Sequence, residues 1–424
     1  MKPIHPLPHS SSLILFLAIA FVACTDPPPA PQETITGPGV PLALARGPGK
    51  RIATIDDLYK AVNDPLNAGM QITLMPNTYM LDPTRAHGGR LELQQDMSIR
   101  GLPGHADSVI IDASRLDLAA LTDGFQTGAI RLGRGNNAVE WLTVRGATAA
   151  SGGIETDLVG PGPARIRIAN VIATANQRGV DIRNFGPAMA HRTLDVELTD
   201  NMLINNTVGL GQGMRIANVS SAGGSIRAVL RNNMVRGNVA GCLAANLNAD
   251  SCVLVIESTA DRLEHNGNGW VFLTGNSSGS GFANANIVRF AAHAGTVEGN
   301  GGSSPHAAQF TGGIVGVGAT TTGPAPGHVS HNTLTIELWG VRLSGNESPD
   351  IAAWGAWSGN GVLPGGNNSV SITLHGVSEN AIVVPTPSTP VEPGGTNTVA
   401  VLRGVHPHGP VHGQGPQHGG LDHD

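Results

Sequence analysis

An all-β solenoid is the fold class that this sequence predicts, and three observations predict it. The stretch from Ser151 to Thr274 repeats one phrase, a turn closed by Gly and then a short strand. Aligned on Gly153, Gly179, Gly213, Gly241 and Gly269, the copies next place Ile154, Val180, Met214, Cys242 and Trp270. Two places later come Thr156, Ile182, Ile216, Ala244 and Phe272, and this mostly apolar period of two is that of a strand burying one face. Finally, Asn184, Asn218 and Asn246 stand five residues beyond the Gly in three successive copies. The copies recur every 26 to 34 residues, and self-similarity at that period indicates coils stacked on their neighbours.

The bulk numbers suit such a chain. Among 424 residues there are 58 Gly, with only 4% aromatic and 13% charged residues, as expected of many short strands joined by tight turns. Lysine occurs only at positions 2, 50 and 60, and the net charge is -6. Nucleic acid is therefore excluded as a partner, because phosphate binding needs a basic face.

Taken in order, the chain begins with a targeting segment over residues 1–23. Lys2 supplies a weak basic region, Leu13 to Ala23 is an apolar run, and Phe21-Val22-Ala23-Cys24 ends it. That tetrad resembles a bacterial lipoprotein signal, which implies lipidation of Cys24 and an exported protein at the outer membrane or cell surface. Ordinary secretion or a retained anchor are the alternatives, and the run is short for a membrane span. Residues 24–50, rich in Pro, read as a tether. Thr54 to Val62 reads as a short amphipathic helix with Thr54 as N-cap and acids in its first turn. Gln71 to Leu81 follows as a strand.

The helix Ile-Asp-Asp-Leu-Tyr-Lys-Ala-Val and the following Ile72-Thr-Leu-Met-Pro-Asn-Thr-Tyr79 resemble the N-terminal cap of right-handed parallel β-helices of the pectate-lyase-like superfamily. With the Asn-x-x-Gly turns and the Asn series, the resemblance covers about residues 50 to 405. It implies a single-stranded right-handed parallel β-helix over residues 51–405 with a short N-terminal capping helix. It does not choose a function, since that fold hosts lyases, hydrolases, isomerases, adhesins and scaffolds.

Later coils are expected to pair Arg165–Val171, Thr193–Leu198, Ser225–Leu230, Ser251–Glu257, Asn286–Phe290, Asn332–Trp339, Ser369–Leu374 and Thr396–Leu402. Asn276–Asn284 and Gly301–Gly327 read as loops leaving the helix. Residues 406–424 carry five His among Gly and Pro and read as a disordered tail.

Alternation puts Glu155, Asp157, Asp181, Arg183 and Arg215 on the outward side of the organising strands. Stacking places Glu155, Asp181 and Arg215 in one column, and Asp157 and Arg183 in the next. Paired carboxyls at this spacing suit glycoside hydrolysis of either stereochemistry. A carboxylate with arginines to hold a uronate suits β-elimination. Cross-strand ion pairs without any substrate are the bland alternative. The superfamily's hydrolase signatures are missing, and no lysine follows Lys60, so no residue is carried over from those families.

Trp354 and Trp357 are candidates for stacking on sugar rings, while Trp339 reads as core. Cys242 and Cys252 have the spacing for a disulfide in an oxidising compartment, although Cys242 falls on an inward position. His328 and His331 lack a third ligand, so no metal site is assigned; no cofactor is required, with calcium an option. Gly275-Asn-Ser-Ser-Gly279 lacks the helix of a nucleophile elbow. The expectation is a monomeric, surface-anchored module that binds or processes polysaccharide or a cell-surface glycan. The alternative is a non-catalytic structural or adhesive surface lipoprotein.

Overall fold

The computed structural model describes residues 49–117, 128–133, 135–148, 152–157, 164–185, 193–209, 211–278, 282–301, 312–322, 328–347, 349–358, 365–377, 383–386 and 396–404. The side chains of residues 157, 278, 322, 358 and 383–386 are excepted. All described residues belong to the unit Leu42–Asp424. The targeting segment, Cys24, nearly all of the tether and the tail at 406–424 lie outside them.

Among the described residues three sheets, parallel throughout, run along this unit, and their strands are counted over those residues. The first has twelve strands from Gly49–Ile52 to Thr398–Gly404. The second has nine short strands from Asn77–Met80 to Arg342–Ser344. The third runs from Leu91–Glu92 to Val383–Thr386 and contains the organising strands. Each coil visits the sheets in turn, as in Ala164–Ala169, Ile172–Thr174 and Arg178–Phe185. The fold is a right-handed parallel β-helix.

The expected partner strands all fall in the first sheet, and Arg165, Asp195, Arg227 and Val255 stack in one register. Alternation sends Ile166, Val196, Ala228, Ile256, Phe290, Ile336 and Ile372 into one continuous core.

Corners between sheets are single left-handed residues repeated coil after coil. Asn170, Asp200, Asn232, Ala260, Ala294 and Gly340 turn the chain from the first sheet to the second with φ between 53 and 60°. Asn and Asp accept this conformation at low cost. Two boundaries differ from the expected ones. Gln71–Leu81 is two strands, Gln71–Leu74 and Asn77–Met80, meeting at Met75-Pro76. Gly301–Gly327, read as a loop, contributes Ile314–Val317 and Thr320–Thr322 to the third sheet. Its Gly and Thr content concealed a strand buried on both faces. Asn276 to Ser278 likewise continues a strand, Trp270–Ser278, so Gly275-Asn-Ser-Ser is extended rather than an elbow.

At the N-terminal end the helix Ile55–Val62 forms as expected, with Thr54 Oγ1 accepting from Asp57 N at 3.2 Å. Leu58, Tyr59, Ala61 and Val62 are buried. Tyr59 Oη donates to Gly89 O at 2.6 Å and accepts from Asp82 N at 2.8 Å, which pins the helix to the first coils.

The interior is tied by stacked amides. Asn184, Asn218 and Asn246 do form a ladder, each Nδ2 donating to the next Oδ1 at 3.1 and 2.8 Å. A longer one joins Asn176, Asn206, Asn238, Asn266, Asn300 and Asn346. Two more join Asn286, Asn332, Asn368 and Asn397, and Asn201, Asn233 and Asp261. In the last three, each side-chain oxygen also accepts a backbone N–H that a corner leaves over, as Asn206 Oδ1 does from Asn176 N, Asn233 Oδ1 from Asn201 N and Asn332 Oδ1 from Asn286 N, which is why amides are tolerated inside.

Candidate functional site

The third sheet carries the candidate residues, and its register agrees with the expected columns. Glu155 pairs with Asp181, Asp181 with Arg215, and Asp157 with Arg183. The first column continues upstream, because Glu155 also pairs with Arg131, and Arg131 with Glu92. Glu92, Arg131, Glu155, Asp181 and Arg215 thus stand one above another on five successive strands.

Their side chains interlock. Arg215 grips Asp181 with two parallel bonds, Nε to Oδ1 at 2.7 Å and Nη2 to Oδ2 at 2.5 Å. Arg183 forms an ion pair with Glu155, and its Nε lies 3.5 Å from Asp181 Oδ2. Arg178 Nη1 approaches the same oxygen at 3.7 Å. Glu92 is held by Arg90 at 2.6 Å and Arg131 at 3.2 Å, with His87 Nδ1 at 3.6 Å. Close approach is built in at Gly128, where an added Cβ would lie 2.6 Å from Glu155 Cβ.

These groups face away from the core, yet they are not on an open surface. Glu155 and Asp181 are fully buried and Arg183 is 2% exposed. The exposed outward patch expected from alternation is therefore corrected: alternation tells which side of a sheet a residue takes, not whether that side is covered. Exposure rises toward the two ends of the column, to 12% for the Arg215 side chain at one end and to 17% for Glu92 and 21% for Arg131 at the other. The cluster has a buried floor and a half-open rim. The side chain of Asp157 lies outside the described residues, so its expected pairing with Arg183 stands only as backbone register.

Burial makes the guanidinium groups of the floor stronger acids than usual. It pulls Arg183 down from its ordinary range to about 9, helped by the neighbouring Arg215 and Arg131 charges. Burial and Arg215 likewise bring Arg178 down to about 10, against the pull of Asp181. Both stay charged at neutral pH. Chemically, the cluster offers carboxylates for proton transfer beside guanidinium groups that hold carboxylates in pairs.

Calcium does not fit this donor set. The ion takes six to eight oxygen ligands, whereas Glu92, Glu155 and Asp181 each already face arginine. Among the described residues no group of three His, Cys, Asp or Glu is placed to hold a metal.

Sequence reasoning missed Arg90, Glu92 and Arg131. The signal was present in Arg90-Leu-Glu-Leu93 and Ile130-Arg-Leu132, whose charged residues sit between apolar ones in the same register.

The remaining candidates disperse. Trp354 and Trp357 lie half-buried on the same outer face, farther along, packed against Val315, Val317 and Ala352. Trp339, expected in the core, is 41% exposed on the first sheet and stacks on His375 at 3.5 Å and His293 at 6.2 Å. His328 stacks on Phe282, and His331 lies beside Ser330 and Asn367. Cys242 and Cys252 are both free and buried rather than joined. Cys242 packs in the core, while Cys252 sits at a corner with its Sγ 3.3 Å from Ser221 Oγ.

No family model matches this sequence, and no curated protein matches it. Among solved structures the chain is similar to the pectate lyase Pel9A, at 14% identity and a TM-score of 0.40, covering 78% of this chain and 71% of that one. It is also similar to the A-module of the mannuronan C-5 epimerase AlgE4 of Azotobacter vinelandii, at 11% identity and a TM-score of 0.29 over 83% of this chain and 95% of that one. A third is the catalytic unit of a GH87 α-1,3-glucanase from Streptomyces thermodiastaticus, at 12% identity and 0.25, over 81% and 71%. The likeness is one of fold. The sheets described above establish the β-helix independently of these comparisons.

Proposed function

We propose that this chain binds or processes polysaccharide across the charged face of its third sheet. The observation that carries the reading is the column Glu92, Arg131, Glu155, Asp181 and Arg215, which is buried at its floor and half-open at its rim. In this reading a glycan touches the rim, where Glu92 offers a carboxylate and Arg131 and Arg215 offer sites for acidic sugar units. Glu155, Asp181 and Arg183 position those rim groups through their ion pairs. Asp157 adjoins them in register.

The test is incubation of the purified protein with a panel of acidic and neutral polysaccharides, following new reducing ends and unsaturated uronate. Binding is followed on the same polymers. Loss of product or binding in Glu92→Gln and Asp181→Asn, with the fold intact, is the expected result. Neither product nor binding on any polymer counts against it.

One observation favours a second reading, that of a structural or adhesive surface protein. The two-pronged Arg215–Asp181 pair and the Arg183–Glu155 ion pair already neutralise one another's charges, so the column serves stability without any glycan.

Export as a monomeric lipoprotein anchored through Cys24 belongs to the same proposal. It rests on the apolar run ending in Phe21-Val-Ala-Cys24. Fatty-acid labelling that persists in Cys24→Ser would remove it.

A further inference from the structure

Three Asn-Gly pairs lie among the described residues, Asn266-Gly267, Asn268-Gly269 and Asn300-Gly301. Asn before Gly is the dipeptide readiest to lose its side-chain amide, because a glycine has no Cβ to keep its backbone nitrogen from the Asn Cγ. The fold itself brings the two residue types together. Asn266 and Asn300 are rungs of the longest ladder among the described residues. Gly301 takes a φ of 133°, and an added Cβ there would lie 2.4 Å from Glu347 Cβ. At Asn300-Gly301 the ladder needs the amide and the turn needs the glycine.

The closed coil withholds the atoms that the reaction requires. Asn300 is fully buried; its Nδ2 donates to Leu263 O at 2.8 Å and to Asn346 Oδ1 at 3.1 Å, and its Oδ1 accepts from Asn266 N and Nδ2 at 3.1 and 3.0 Å. The attacking nitrogen, Gly301 N, donates to Asn266 O at 2.8 Å. Asn266 is held in the same way, by Val235 O, Asn300 Oδ1 and both nitrogens of Asn238, while Gly267 N donates to Asn238 O at 3.1 Å. Asn268 stands beside the ladder, with its Oδ1 accepting from Gly241 N at 3.1 Å and Gly269 N donating to Gly312 O at 3.1 Å. Turning the side chain toward the glycine nitrogen therefore breaks more bonds at Asn266 and Asn300 than at Asn268.

We propose that Asn266 and Asn300 are latent deamidation sites which the ladder keeps shut, and that the reaction makes opening of their coils one-way. In an opened coil the glycine nitrogen, having given its proton to hydroxide, bonds to Cγ; the Cγ–Nδ2 bond breaks, and ammonia leaves with a proton from water. Water then adds to one carbonyl of the five-membered imide. The product is Asp, or isoaspartate with one more carbon in the main chain. Neither can close the coil as before: without the Nδ2 of Asn300, Leu263 O and Asn346 Oδ1 are left as buried acceptors facing a carboxylate. Because opening and closing are fast beside this chemistry, conversion at each site follows the fraction of time its coil is open.

The test holds the full chain at mildly alkaline pH, folded and in urea, and follows the amide-to-acid change at each Asn by mass spectrometry of its peptides. Asn266 and Asn300 are expected to convert at least about tenfold more slowly folded than in urea, and Asn268 to convert faster than either in the folded chain. Asn346→Ala, which removes the acceptor of Asn300 N and Nδ2, is expected to speed Asn300 several-fold and leave Asn268 unchanged. Asn300→Asp, carrying the product's carboxylate, is expected to lose amide-exchange protection over 262–264 and 296–298 or to fail to fold. Equal rates folded and in urea overturn the shielding, and an unmoved Asn300 in folded Asn346→Ala overturns the ladder as its cause. Natural protection in Asn300→Asp overturns the one-way step. If Asn346→Ala does not fold, Asn300 converting as fast as Asn268 in the natural protein overturns the ladder's part.

Discussion

The outer face of the third sheet is two surfaces on one backbone. From Glu92 to Arg215 its columns are charged, whereas from Ala217 through Ala245, Val271, Leu273, Val315 and Val317 to Ala352 they are apolar. Strand direction does not change between them, the register slips only beyond the Ala245–Leu273 pair, and the middle of each half is buried. The difference teaches that the coil is indifferent to what its outer face carries, provided the covered groups are satisfied. Apolar groups need only contact. Charges need partners, and the interlocked arginines and carboxylates supply them.

That contrast makes the two halves break differently. The largest effect is expected in the charged half: Arg183→Met leaves Glu155 buried without its ion partner and should cost about 3 to 5 kcal/mol. Replacing both as Arg183→Met with Glu155→Leu should restore most of the loss. A urea midpoint series on the single and double variants would show it, and equal losses in the two would mean that the pair is not the unit of stability.

Leu273→Ala in the apolar half should cost about 2 to 3 kcal/mol, with no partner whose replacement rescues it. A rescue by any charged-half substitution would blur the distinction drawn here. The smallest change is expected on the open first sheet, where Arg165 and Asp195 meet at 3.7 Å with side chains 58% and 39% exposed. Arg165→Ala should alter stability by less than about 1 kcal/mol, and less still in high salt.

The apolar half was in part legible before the structure. Trp270-Val-Phe-Leu273 is an unbroken apolar run, the mark of a strand covered on both faces. Ile314-Val-Gly-Val317 and Ile351-Ala-Ala-Trp354 carry the same message, but the surrounding Gly, Thr and Ala hid it. In the charged half the alternation Ile154-Glu-Thr-Asp157 and Val180-Asp-Ile-Arg183 reads as a solvated face. It misled about exposure, while register and column order came out as expected.

A parallel lesson comes from the asparagines. Asn184, Asn218 and Asn246 were visible because they share one offset from a Gly. Asn176, Asn238 and Asn266 open the Asn-x-x-Gly turns at Gly179, Gly241 and Gly269, yet they belong to the longest ladder among the described residues.

What the sequence determined by itself was the coil: a period of about one turn, apolar residues at every second place, and amides at the corners. Those are local and repeated signals, and repetition makes them readable. What only the tertiary structure decided was which outward residues are covered and that Cys242 and Cys252 stand apart. Each depends on what another coil places a few ångströms away, and no spacing along the chain records that distance.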